Sequence, residues 1–267
     1  MSIRVIPGRF IGSVALILTA TLLLSGATEA EGRFLFKSYG SEQGLVDPSF
    51  ECLTQDEDGF LWIGTQSGLV RYDGSRFRRW TSADGLPSSC VYRLRAIPGG
   101  GLWLATQEGV VRFRDGVVHR IRSGGRDLLG GSANIDLDAE GRLCFLHREG
   151  LYRQVGPDEF VRLPGAPRGR ALGLACSRAT GSIFVNVDNA LWERRQDGRW
   201  TLLGPETGLR PEGRLWAMAE DGTGRWWVGG DRKLFYRDAG ETSFHDASSW
   251  LPAPPFTEGI FLPSRDG

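Results

Sequence analysis

The chain has 267 residues, with 32 basic and 32 acidic side chains and a formal net charge of zero. That balance excludes the basic footprint of a nucleic-acid surface and polybasic docking on an anionic membrane. Thirty-eight glycines, nine tryptophans and 40% hydrophobic residues are the composition of a packed, turn-rich, all-β repeat protein.

The first segment stands apart from that core. Arg4 and Arg9 form a positive stretch, residues 11–24 are almost wholly apolar, and small residues follow at Ser25-Gly26-Ala27 and Thr28-Glu29-Ala30. This pattern is a signal peptide over residues 1–30, cleaved after Ala27 or Ala30; an uncleaved N-terminal anchor is the alternative. The apolar run is shorter than the ~20 residues that span a bilayer, and no Cys follows it to carry a lipid. The mature chain is therefore expected to be exported, and export permits disulfides. The four cysteines, Cys52, Cys90, Cys144 and Cys176, are widely spaced, and each sits in an apolar, strand-like run. They read as buried small hydrophobes rather than as a bridge or a zinc site.

From residue 44 onward the chain repeats itself. Asp58-Gly59-Phe60-Leu61-Trp62-Ile63-Gly64-Thr65 continues to Gly68-Leu69-Val70-Arg71-Tyr72-Asp73-Gly74. The same register returns 41 residues on, at Gly101-Leu102-Trp103-Leu104-Ala105-Thr106 and Gly109-Val110-Val111-Arg112-Phe113. Three further units put Cys144, Phe184 and Trp227 at the Trp position, at steps of 41, 40 and 43 residues. A second marker keeps step: Gly44-Leu45 recurs as Gly85-Leu86 and Gly208-Leu209.

Each unit parses into four short strands, in the first unit Ser49–Gln55, Phe60–Thr65, Leu69–Tyr72 and Arg76–Trp80. Asp58-Gly59 and Asp73-Gly74 supply hairpin turns, because Gly accepts the positive φ that a tight turn needs. The Trp of the second strand fills space between stacked sheets, and the Gly two residues later admits the adjacent sheet closely. Four strands per 40–45 residues is the arithmetic of a β-propeller.

On these residues the chain resembles the two-component regulator propeller repeat. The pattern is carried by Asp56, Gly59, Leu61, Trp62, Ile63, Gly64, Thr65, Gly68, Leu69, Tyr72 and Asp73, with Gly85-Leu86-Pro87-Ser88 as the turn before the next unit. It is specific in the first, second and fifth units; in the third and fourth it rests on spacing. The resemblance implies a periplasmic, ligand-sensing propeller of a transmembrane receptor anchored in the inner membrane. A histidine kinase or diguanylate cyclase output would lie beyond this chain. It also implies a small-molecule or glycan ligand of unknown identity, a homodimer formed through the full receptor, and no nucleic acid partner. A stand-alone secreted propeller acting as a lyase or carbohydrate-binding module is the alternative.

The expected organisation is a signal peptide at 1–30 followed by propeller repeats over 31–267. Residues 33–39 align with 74–80 as a lone outermost strand, five full units follow, and a sixth begins near Phe256–Leu262 and reaches Asp266-Gly267. The fold class is thus all-β: a propeller of four-stranded blades with ~41-residue repeats, five full blades plus partial ones, and an incomplete ring, as in a truncated frame. A short protein that closes by pairing with another chain is the alternative.

No nucleophile elbow, P-loop or metal-binding His pattern appears, and His119, His147 and His245 are scattered. No catalytic residue, cofactor or metal is expected. In a propeller, the loops joining second to third strands and fourth strand to next blade open on one face around the central channel. Gln66 and Gln107 are equivalent loop residues on that face and Ser88 lies in the adjoining turn, which makes these three the candidate ligand-binding residues; an amide both donates and accepts, as sugar hydroxyls require.

Overall fold

The computed structural model describes residues 39–40, 44–45, 49–128, 130, 134–231 and 233–250. The expected signal peptide, all of the lone strand but Tyr39, and the sixth unit lie outside them. The chain divides into two units, Met1–Tyr39 and Gly40–Gly267, and every element below belongs to the second.

The first repeat forms β1 (Phe50–Gln55), β2 (Leu61–Thr65), β3 (Gly68–Tyr72) and β4 (Phe77–Trp80). They pair antiparallel in sequence order as one sheet. Strands two and four begin one residue later than expected, for a common reason. The N–H of Phe60 donates to Asp56 Oδ1 at 2.9 Å, and that of Arg76 to Asp73 Oδ1 at 2.7 Å. Each turn aspartate thus claims a backbone donor just ahead of the strand. Asp56 also accepts from the indole Nε1 of Trp62 through Oδ2 at 2.6 Å, so one carboxylate holds both the turn and the aromatic. The Thr of the repeat closes the next hairpin: buried Thr65 Oγ1 donates to the Gly68 carbonyl at 3.0 Å and accepts from Ser67 N–H at 3.1 Å.

Four more blades repeat this plan. Blade 2 is β5 (Val91–Ala96), β6 (Leu102–Thr106), β7 (Gly109–Arg114) and β8 (Val117–Arg120). A short hairpin follows, β9 (Arg122–Ser123) and β10 (Arg126–Asp127). Blade 3 is β11 (Ile135–Leu137), β12 (Leu143–His147), β13 (Gly150–Gln154) and β14 (Phe160–Arg162). Blade 4 is β15 (Ala171–Cys176), β16 (Ile183–Val187), β17 (Ala190–Arg194) and β18 (Trp200–Leu203). Blade 5 is β19 (Leu215–Glu220), β20 (Trp226–Gly230), β21 (Lys233–Arg237) and β22 (His245–Asp246). All five sheets have four strands in sequence order. The β9–β10 hairpin was not expected; it lies along blade 3 through a parallel bridge from Arg122 to Glu159.

The Gly-Leu marker is a structural device. Gly44, Gly85 and Gly208 have φ of 93°, 95° and 80°, a left-handed conformation that favours glycine. Leu45, Leu86 and Leu209, which follow them, are all buried.

The core is built between blades. The innermost strands β1, β5, β11, β15 and β19 pack in series, so the described blades form an open arc. Four hydrophobic clusters fill the four interfaces, and each contains the anchor of the blade before it: Trp62, Trp103, Cys144 and Phe184. Trp62 meets Phe113 of blade 2 edge-on at 5.7 Å, Trp103 meets Phe160 of blade 3 at 5.7 Å, and Phe184 meets Trp226 of blade 5 at 4.1 Å. Gly64 is the expected clearance: a Cβ there would stand 2.6 Å from the Val91 carbonyl oxygen of blade 2. Polar links repeat across the same seams. Arg95 pairs with Asp136 at 2.9 Å, Arg112 chelates Asp158 at 2.6 and 2.7 Å, and the buried pair Arg237–Glu193 joins blades 5 and 4 at 3.1 Å.

The fifth anchor differs. Trp227 keeps its aspartate clamp, donating to Asp221 Oδ2 at 2.7 Å, but is only partly buried and packs on Tyr236 and on Trp250, which is 58% exposed. Trp103→Ala should therefore cost about 3–5 kcal/mol in urea unfolding, and Trp227→Ala less than about 2 kcal/mol. Equal losses would contradict the inter-blade anchoring. A second prediction concerns acid. Hydrogen bonds from the Arg76 and Ser75 backbone and from the Ser75 hydroxyl lower the Asp73 carboxyl from its ordinary 3.8 to about 2. A depressed folded-state value stabilises the fold above the unfolded value and ceases to do so as pH falls through the folded one. The gap in urea midpoint between wild type and Asp73→Ala should be full above about pH 4 and close toward about pH 2; a pH-independent gap would refute the assignment.

Candidate functional site

The face that carries the expected site residues is organised by one recurrent tie. At the tips of the β2–β3-type hairpins of blades 1, 2, 4 and 5, a backbone N–H donates back to the connection that precedes the blade. The bonds run from Gln66 to Ser49 O at 3.2 Å, Gln107 to Cys90 O at 3.3 Å, Asp188 to Arg170 O at 3.0 Å and Asp231 to Arg214 O at 3.0 Å. Gln66 and Gln107 are thus structurally equivalent, as their spacing implies, and Asp188 and Asp231 are their counterparts in blades 4 and 5.

The side chains have different duties. Gln66 is exposed, and its Nε2 donates to Glu51 Oε1 at 3.0 Å within blade 1. Gln107 is exposed at the rim of blade 2. Ser88 is half-buried, and its hydroxyl accepts the Cys90 N–H at 3.1 Å. Since the Cys90 carbonyl accepts from Gln107, Ser88 and Gln107 bond to the same residue and are brought together, whereas Gln66 belongs to the neighbouring blade. Asp188 and Asp231 are spent on structure: their carboxylates accept the N–H groups of Arg170 and Arg214, each at 3.0 Å. Asn189 bridges blades 4 and 5, donating to Gly213 O at 2.8 Å and accepting from Leu215 N at 2.7 Å.

Beside Ser88 and Gln107 lies a cavity of about 210 Å³. Pro87, Glu108, Val110, Arg120, Ile121 and Leu128 line it. It sets one carboxylate and one guanidinium around an apolar floor, and it is smaller than the ~300–1,000 Å³ of drug-sized sites. Sequence reasoning reached Glu108 only as a loop residue and missed Arg120 and Leu128. Arg120 ends the outer strand of blade 2, and Leu128 belongs to the long connection into blade 3, which the repeat pattern does not cover. The Gly130 N–H folds that connection back by donating to Glu108 O at 3.1 Å.

The histidines occupy three blades. His147 is buried at the position of Thr65 and does a similar job, its Nδ1 accepting the Glu149 N–H at 3.2 Å. His245 is exposed and contacts Glu241 at 2.8 Å, and His119 lies on β8. Among the described residues, no group of three or more His, Cys, Asp or Glu side chains comes together to hold a metal ion.

The comparisons with known proteins agree with this geometry. The family model described as "Two component regulator propeller" matches residues 44–67, from the Gly-Leu turn through β2 to the first hairpin tip. Over 70 residues the chain is 37% identical to "Histidine kinase P4" of Formosa agariphila, covering 26% of this chain and 5% of the kinase. Among solved structures, it is similar to the extracellular domain of the hybrid two component system BT3049 from B. thetaiotaomicron, with a TM-score of 0.65, 19% identity, and coverage of 78% of this chain and 31% of that one. The corresponding domain of BT4673 from the same organism gives a TM-score of 0.60 at 20% identity, covering 74% and 27%. The chain thus spans about a third of the solved relatives and a small part of the curated one. The matched stretch covers the first half of blade 1, and the blades after it repeat the same four-stranded plan along a propeller arc.

Proposed function

We propose that this chain is the periplasmic ligand-sensing propeller region of a transmembrane signal-transduction receptor, whose histidine kinase or diguanylate cyclase output is encoded elsewhere in the receptor. The observation that carries the reading is the two-component regulator repeat in the first blade, and the 37% identity to a histidine kinase over 70 residues supports it. The chain itself performs no catalysis in this reading. It binds a small molecule or a glycan fragment at the rim of blade 2 and passes the signal through a receptor homodimer.

The cavity beside Gln107 and Ser88 is the binding locus. Glu108 offers acceptors, Arg120 offers a planar set of donors, and Val110, Ile121 and Leu128 give an apolar floor, with the exposed Gln107 beside Glu108 at the rim. That set suits one polyhydroxylated ring unit. A thermal-shift screen of the purified chain against mono- and oligosaccharides tests it. A ligand at 100 times its Kd adds about 2.7 kcal/mol, a rise of about 5–10 °C for a domain of this size. The double variant Gln66→Ala/Gln107→Ala and the single variant Arg120→Ala should keep the unliganded melting temperature and lose the shift. A hit whose affinity is untouched by all three changes would remove this face from consideration.

Export is tested separately. Alkaline phosphatase, active only outside the cytoplasm, is fused after Gly267. High activity that disappears when residues 1–30 are deleted is the expected result; activity unchanged by the deletion would overturn the signal-peptide assignment.

A further inference from the structure

We propose that Cys144 and Cys176 form a disulfide site that staples blade 3 to blade 4. Every other blade has an aromatic anchor: Trp62, Trp103, Phe184 or Trp227. Blade 3 alone places a small thiol there. At three of the four seams, the last residue of the next blade's innermost strand lies in the same packed cluster as the anchor. It is Ala96 with Trp62 and Leu137 with Trp103. With Cys144 it is Cys176. This seam thus holds two thiols in one cluster where each of the other three holds an aromatic anchor.

The geometry brings the pair close. Asp136 is the cross-strand partner of Cys144 on β11, and its Oδ2 accepts the Cys176 N–H at 2.9 Å. Both thiols are buried in one apolar cluster with Leu146, Leu174 and Val185. Contact with Cys144 and burial raise the Cys176 thiol well above its ordinary range. The folded, reduced pair is therefore slow to react, because the thiolate is the nucleophile. Oxidation belongs to the stage before blade 4 seals against blade 3. One thiolate attacks an external low-molecular-weight disulfide, giving a mixed disulfide and one released thiol. The second thiolate then displaces the other half. The protein gives up two electrons and two protons and gains one S–S bond, while the external disulfide is reduced to two thiols. The other two cysteines differ: Cys52 lies against the Val91 carbonyl at 3.8 Å, and burial pushes its thiol up to about 11.

The test uses the full chain, unfolded in reductant and refolded with a mixture of oxidised and reduced glutathione. A tryptic digest without reduction should contain Leu143–Arg148 linked to Ala171–Arg178, and the linked species should vanish on reduction. Thiol titration in denaturant should find two free thiols where the reduced chain has four. The Cys52→Ser/Cys90→Ser variant should still form the bridge. Reducing the refolded wild type should lower its melting temperature by about 5–10 °C, and reductant should leave Cys144→Ala unmoved. Four free thiols after refolding, or a linked peptide joining any other pair, would overturn the proposal. Chain that has been refolded reduced and only then given oxidised glutathione should form the bridge at least tenfold more slowly; equal rates would overturn the order of events.

Discussion

The structure depends on one contact, the anchor side chain that each blade drives into the blade after it. A four-stranded sheet of this size has little interior of its own. Its apolar residues leave water only when a second sheet covers them, and here the core lies entirely at the seams. Burying an indole removes about 150–250 Å² from water. The rest of the repeat serves that contact. Gly64 keeps the neighbouring strand within reach, Asp56 fixes the indole from behind, and Thr65 locks the hairpin that carries it.

The seams also carry charge. Asp136 receives Arg95 from blade 2 and the Cys176 N–H from blade 4, so one carboxylate ties three blades. Glu220 accepts from the Ser177 hydroxyl and from the backbone N–H of Arg178 across the next seam. Glu193 and Arg237 are both buried, and the guanidinium also stands over the Phe184 and Phe244 rings at 5.1 and 5.0 Å. Paired charges at this depth disfavour any alternative register, because a slip would leave one of them buried alone. The blades are thus held by apolar area and indexed by charge.

Much of this was legible in the residues. A period of 41 with Asp-Gly turns fixes four strands per unit to within a residue, and the offsets at Phe60 and Arg76 come from turn aspartates that take a backbone donor first. The aspartate clamp itself was not legible. Blade 2 has Ile97 at that position and blade 4 has Ser177, so the pairing of carboxylate and indole shows only in space. In blade 3, Asp138 persists without a Trp and turns instead to Arg142, which donates to it at 2.9 Å. At the candidate site, periodicity located Gln66 and Gln107 on one face but not the cavity. Its wall draws on Arg120 and Leu128, at the point where the repeat is interrupted, and period-based reasoning is silent at an interruption.

The forward packing of the anchors has a consequence for how such proteins change over time. In blades 1, 2 and 4 an aromatic side chain points forward into the next blade, so these seams share one polarity. A whole unit inserted by duplication would find a fitting neighbour on each side at once, whereas half a unit would fit neither. Blade number can thus change by whole units while the packing geometry at each seam is kept. The Cys144–Cys176 seam is the exception, since two matched residues cannot be moved apart by an insertion between their blades without losing the match.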